Sequence, residues 1–254
     1  MPLVADHRQI FAFSGLLTRE DDRLEGWHLI DHALSLIDED RRGDRRARVC
    51  YVPTAVGDSA DAICGHRETF ARRRPDVDLT VLTLFLQPSV PDVRAHLLDQ
   101  DLVLVEGGSV VNLIAVWRAH GMPPILRECW EAGVVLAGAS AGSLCWHTGG
   151  PTDSFGDDLA PFTDGLALLP FSNGVHDDFD DQPRRATYRR LVAEGVLDAG
   201  YAGEDGVGLH YLGTRLHEAV TLRPHSTAWW VEPDGSGGWR EERVATRALG
   251  GPTG

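Results

Sequence analysis

Apolar residues recur along the chain in short unbroken runs separated by amphipathic stretches. Ile10–Phe13 is the first run, followed by a helix-like stretch over Glu25–Asp38 in which Leu24, Trp27, His28, Asp31, Leu34 and Ile37 partly keep the helical period. The charged run 38–46 reads as a solvated loop. A regular alternation then sets in. Arg48–Pro53 reads as a strand, Ser59–Arg73 as a helix capped by Ser59, and Leu79–Leu82 as a strand. Pro91–Asp99 is a short helix, Leu102–Val105 a strand, Val110–His120 and Pro124–Ala132 helices, and Gly133–Gly138 a strand. Strands written as continuous apolar runs are buried on both faces, so the pattern predicts a three-layer α/β fold with a mostly parallel sheet flanked by helices. Segments 207–211, 216–222 and 228–232, between glycine-rich turns, predict a small antiparallel C-terminal extension. The tail from Gly235 reads as loose at its end, over about the last ten residues. No internal repeat is present, and residues 1–254 read as a single domain.

Composition narrows the function. A net charge of −14 argues against nucleic-acid binding, which needs clustered Lys and Arg. No run approaches the roughly 20 apolar residues that span a bilayer, and the first residues lack the pattern of a signal peptide. Four scattered cysteines (Cys50, Cys64, Cys129, Cys145) with no CxxC pair read as reduced thiols of a cytoplasmic protein. No metal-ligand spacing occurs, and neither a metal nor an organic cofactor is expected.

The strongest chemical signal is Gly138-Ala139-Ser140-Ala141-Gly142, directly after a strand. This is the G-x-S-x-G nucleophile elbow: a strand turning sharply into a helix exposes the serine, and the crowding demands tiny neighbours. The same pattern also suits a turn that merely packs tightly. A second turn, Glu106-Gly107-Gly108-Ser109, follows another strand and would lie on the same sheet edge. The N–H groups of Gly107 (or Gly108) and Ala141 then become candidates for an oxyanion hole, with a phosphate-binding or capping turn as the plain alternative. His176, in a polar loop 36 residues beyond Ser140, is the candidate base. Asp153 is the candidate orienting acid, with Asp178 as competitor and Glu204 or Asp205 as weaker ones.

These motifs resemble peptidase E, the aspartyl dipeptidase family of serine peptidases (S51), over Tyr51 to about Val231. The resemblance rests on YVPTAVGDS, VEGGSVVNLIAVWRAHG, LAGASAGSLCW, PTDSFG, LLPFSNGVH, RRATYRRLVAEG and GYAGEDGVGLHY. It implies a fold like that of class I glutamine amidotransferases and a cytoplasmic serine dipeptidase for Asp-X substrates. Ser140 matches the nucleophile, His176 the base and Asp153 the acid; Gly107 falls in the oxyanion turn. Arg184, with Arg185 beside it, falls where a substrate carboxylate is recognised, on a helix that otherwise reads as surface. Two departures stand out. Glu106 puts a carboxylate where the family has glycine, suited to repel an aspartyl substrate or to bind an amine, and His176 is followed by Asp177. A cyanophycinase-like hydrolase or an esterase on the same scaffold, and a silent amidotransferase-like binding protein, are the competing readings. A small peptide is the expected partner, with neither nucleic acid nor membrane; a homodimer is one assembly the sequence allows.

Overall fold

The computed structural model describes residues 7–15 and 23–250, with side chains from Trp27 onward in the first helix. Residues 1–6, the side chain of Leu24 and residues 251–254 lie outside the described residues. Five parallel strands form the heart of the molecule: β1 (Gln9–Phe13), β2 (Ala47–Val52), β3 (Val77–Val81), β4 (Leu102–Val105) and β5 (Val135–Ala139). They lie side by side as β1-β5-β4-β2-β3. The intervening helices are α1 (Arg23–Ser35), the single turn α2 (Glu39–Arg42), α3 (Ala60–Arg73), α4 (Val93–Leu98), α5 (Val110–Ala119) and α6 (Met122–Glu131). Alternate strand residues serve opposite layers. Ile10, Ala12, Val103, Val105 and Leu136 pack with α5 and α6, whereas Phe11, Phe13, Leu102, Leu104 and Ala137 pack with α1 and α3. Helices on both faces explain why these strands are apolar throughout.

Local chemistry sets several boundaries. Ser59 caps α3 by accepting the Ala62 N–H, and Ser109 caps α5 by accepting that of Asn112. The charged run is not all loop: Asp38 accepts the Asp40 N–H and caps α2.

The last third is more ordered than the sequence pattern suggests. After the elbow helix α7 (Ala141–Leu144), strands β6 (Gly150–Thr152) and β7 (Ala160–Phe162) make a small hairpin. Then come β8 (Ser172–Gly174), α8 (Arg184–Ala193), β9 (Gly200–Gly203), β10 (Val207–Leu212), β11 (Arg215–Thr221), β12 (Ala228–Pro233), β13 (Trp239–Val244) and β14 (Thr246–Ala248). The antiparallel extension is real: β10 pairs antiparallel with β1 and β11 with β10, extending the main sheet. A second sheet, β13-β12-β9-β8, covers α8. β13 pairs along all of β12 and β14 pairs with β11, so the chain is strand-paired as far as Ala248. Among the described residues no helix is long and apolar enough to cross a membrane.

Candidate active site

The site lies at the carboxyl edge of the parallel strands. Ser140 follows β5 and has φ 52°, ψ −109°, a backbone conformation costly for any residue but glycine. Its surroundings hold it there. The Ser140 N–H donates to Phe13 O at the end of β1 (3.0 Å), and its carbonyl accepts from Ser143 and Leu144 at 2.9 Å. The flanking glycines are required by close approach: a Cβ on Gly138 would stand 2.3 Å from Gly142 O, and one on Gly142 2.4 Å from Val105 O. The latter contact presses the elbow against the β4 turn, so a Cβ on Gly107 would lie 3.3 Å from that of Ser140.

His176 leaves β8 with its own positive φ of 56° and is 2% exposed. Its Nε2 lies 2.9 Å from Ser140 Oγ and its Nδ1 2.5 Å from Asp205 Oδ1. An ionised carboxylate only accepts, so Nδ1 carries the proton and Nε2 is free to accept the serine O–H. Asp205, 3% exposed, sits in the Gly203–Gly206 turn between β9 and β10. Asp178 Oδ1 accepts the Asp205 N–H at 2.6 Å. The same turn is tied to β1, since Gly206 N–H donates to Gly15 O and Ser14 Oγ to Gly203 O, both at 2.8 Å.

Asp153 therefore does not orient His176, which corrects the sequence expectation. It stands at the tip of the β6–β7 hairpin, where Arg184 Nη2 donates to its Oδ2 at 2.9 Å and Gln182 Nε2 to the same oxygen at 3.2 Å. Asp178 is also not the partner of His176; it supports Asp205 from behind. Arg184 differs from its surface reading too. It is 6% exposed, burial lowers its guanidinium from the usual value, and its Nε is buried with no hydrogen bond. Arg185, half-buried, stacks over Trp229.

Two features escaped the sequence reading. Buried Asp177 and Arg189 form a network with Glu241 at the surface: Arg189 Nη1 donates to Asp177 Oδ1 at 2.6 Å and Nε to Glu241 Oε2 at 2.7 Å. A charged Asp beside the base and an i,i+4 pair of arginines were visible, but Glu241 comes from a strand the pattern left as tail. The second is the capping of Gly107 by Glu106, which the sequence marks as a departure without this contact. Its Oε1 accepts the N–H of Gly107 at 3.0 Å, and its Oε2 accepts the Tyr51 hydroxyl. Gly107 is where expected, but its donor is occupied. The exposed Gly108 is pressed onto Ala55 O, where a Cβ would come within 2.5 Å, and serves the turn's path.

Three thiols are buried, and burial pushes those of Cys50 and Cys129 up to about 12, as small core residues. His147, in the segment after α7, is fully buried; its Nδ1–H donates to Ser143 O at 2.9 Å, and it does not face Ser140. Among the described residues no cluster of His, Cys, Asp and Glu has the arrangement of a metal site.

Comparison with known proteins bears on the family and the fold. The profile of Peptidase family S51 matches residues 23–219. The uncharacterized peptidase YgaJ of Bacillus subtilis (strain 168) is 38% identical over 186 residues, which are 72% of this chain and 77% of that protein. The crystal structure of a peptidase from an acI-B1 actinobacterium superposes with a TM-score of 0.67 at 15% identity, over 95% of this chain and 96% of that one. A Listeria monocytogenes EGD-e protein assigned to peptidase E superposes with a TM-score of 0.59 at 16% identity, over 85% and 99%. With a matching profile over most of its length and a peptidase relative at this identity, the chain belongs to peptidase family S51.

Proposed function

We propose that the protein is a serine-type peptidase of short peptides, acting through Ser140, His176 and Asp205. The observation that carries this reading is the unbroken line from Ser140 Oγ through His176 to the buried Asp205 carboxylate, 2.9 Å and 2.5 Å long. His176 Nε2 takes the Ser140 proton as Oγ attacks the scissile carbonyl, and Asp205 holds the imidazole tautomer and stabilises the imidazolium. The oxyanion faces the Ala141 N–H at the elbow and, once it is released, the Gly107 N–H. His176 then protonates the leaving amine, the C–N bond breaks, and water hydrolyses the acyl-enzyme by the reverse proton path.

Asp-X dipeptides are the first substrates of this reading, because Arg184 is a buried cation close enough to Asp205 to feel its charge and has an unused Nε–H. Its Asp153 partner is half-exposed and would share or yield the guanidinium when substrate binds. The experiment is hydrolysis of Asp-X beside Ala-X, Glu-X, ester and β-aspartyl-arginine controls, together with fluorophosphonate labelling and Ser140→Ala as the blank. Labelling and cleavage that both vanish in Ser140→Ala are expected. Ser140-dependent cleavage of the controls alone would discard the aspartyl preference. Absence of labelling would discard the serine mechanism.

A further inference from the structure

Glu106 stands beside the nucleophile with no part in the proton relay. Its carboxylate is bound on both oxygens, by the Gly107 N–H and the Tyr51 hydroxyl, and His66 Nε2 lies 3.5 Å from Oε2. Burial and the neighbouring negative charge raise the Tyr51 hydroxyl, which therefore stays a donor, and the His66 ring stacks on it at 4.0 Å. The Gly107 peptide is the part of the β4 turn packed against Ser140. A carboxylate oxygen thus occupies a donor suited to a developing oxyanion, and its charge repels a second negative charge nearby.

The space around Glu106 points to what can move it. Phe13, Ile30, Tyr51, His66, Glu106 and Ala139 line a cavity of about 60 Å³ that reaches the residue before Ser140. Ile30 and His66 also line an adjoining groove of about 460 Å³, whose other walls include Trp27, Asp61 and Thr69. Aromatic and aliphatic walls with carboxylates among the polar groups suit a cation on an apolar stem.

We propose that Glu106 is a substrate-cation receptor that gates the oxyanion turn. An ammonium or guanidinium group of the substrate makes a charge-assisted bond to Glu106 that is stronger than the bond from the neutral Gly107 amide. The carboxylate pivots about its Tyr51 contact, and the Gly107 N–H is released to the oxyanion. A substrate without a cation leaves the turn capped, so it binds but reacts slowly. The cation is either the α-ammonium of the residue whose carbonyl is attacked or the head of a basic side chain; both offer the same N–H donors. This inference rests on the serine mechanism proposed above and adds a selection rule to it.

The test uses the full chain and matched anilides: alanyl and aspartyl (α-ammonium), 6-aminohexanoyl (distal ammonium only), and propionyl and succinyl (no cation). For the wild type, kcat on one cationic class at least tenfold above its neutral counterpart is expected, and the class that gains identifies the source of the cation. In Glu106→Ala the neutral substrates should gain kcat while the cationic ones lose it, drawing the ratio toward one, with Glu106→Gln in between. A merely structural role predicts losses for every substrate. A neutral fluorophosphonate supplies a substrate-independent reading, because it should label Glu106→Ala several-fold faster than the wild type. Unchanged or slower labelling, or a persistent cation preference in Glu106→Ala, overturns the gate while leaving the serine mechanism intact. If the wild type is not labelled at Ser140 at all, both readings fall together.

Discussion

Each residue of the Ser140–His176–Asp205 line bears a different constraint. Ser140 and His176 both hold positive φ, so the backbone stores strain at the two groups proposed to exchange the proton. Asp205 carries no such strain; it is buried, holds the Nδ1–H of His176 and is fixed through its own N–H by Asp178. Asp205→Asn should therefore fold normally yet lose roughly 10³–10⁴ in kcat, because the wrong imidazole tautomer is stabilised. Asp153→Asn should keep kcat within about tenfold and instead raise KM for acidic substrates, by freeing or disordering Arg184. Steady-state kinetics of the pair assigns the acid, and the reverse ranking would restore Asp153. At this scale local motifs in the sequence singled out Ser140 and His176, which the fold brings within 2.9 Å of each other. The sequence misled over the acid because that residue lies 29 positions beyond His176 and is brought in by pairing between distant strands. The Gly203-Glu204-Asp205-Gly206 turn signalled only a tight connection.

The elements around the elbow are built on near-contact of backbones. Gly142→Ala would press a methyl onto Val105 O and part the two turns that frame Ser140. A loss of roughly 1–3 kcal/mol or more is expected, together with loss of fluorophosphonate labelling. Gly65→Ala in α3, where an added Cβ meets nothing within 4 Å, should instead stabilise by about 0.5–1 kcal/mol. Thermal melting of the two variants measures the contrast, and equal effects would refute the packing argument. The parallel strands and their helices were legible because burial on both faces writes long apolar runs. Strands β8, β9 and β13 were not. They are short or mostly polar, as in Trp239-Arg240-Glu241-Glu242-Arg243, and partner strands and α8 specify them more than any period of their own.

Over the whole molecule, buried titratable groups set the response to acid. Burial holds His147 at about 3 and His210 at about 4, both below the ordinary 6.5. The unfolded chain then takes up these protons first, so stability is full above pH 6.5 and declines as pH falls toward the folded-state values. Each histidine contributes about 1.4 kcal/mol per pH unit in that window. Denaturant titrations between pH 7 and 5 should show this slope, and His147→Gln should reduce it by about one proton's worth; an unchanged slope would mean His147 is solvated. Glu241 joins the second sheet to Arg189 beside the base, so the C-terminal strands belong to the site's scaffold.

Strand β1 gives the molecule a timetable. It lies between β5 and β10, and its end holds both the Ser140 amide and the turn bearing Asp205. Its β10 partner is made roughly 200 residues later, which at about 5–20 residues per second is a wait of some 10–40 s on the ribosome. Until then His176 lacks its Asp205 partner and β1 has an unpaired edge. The proposed site is thus assembled late, only when β10 closes over β1.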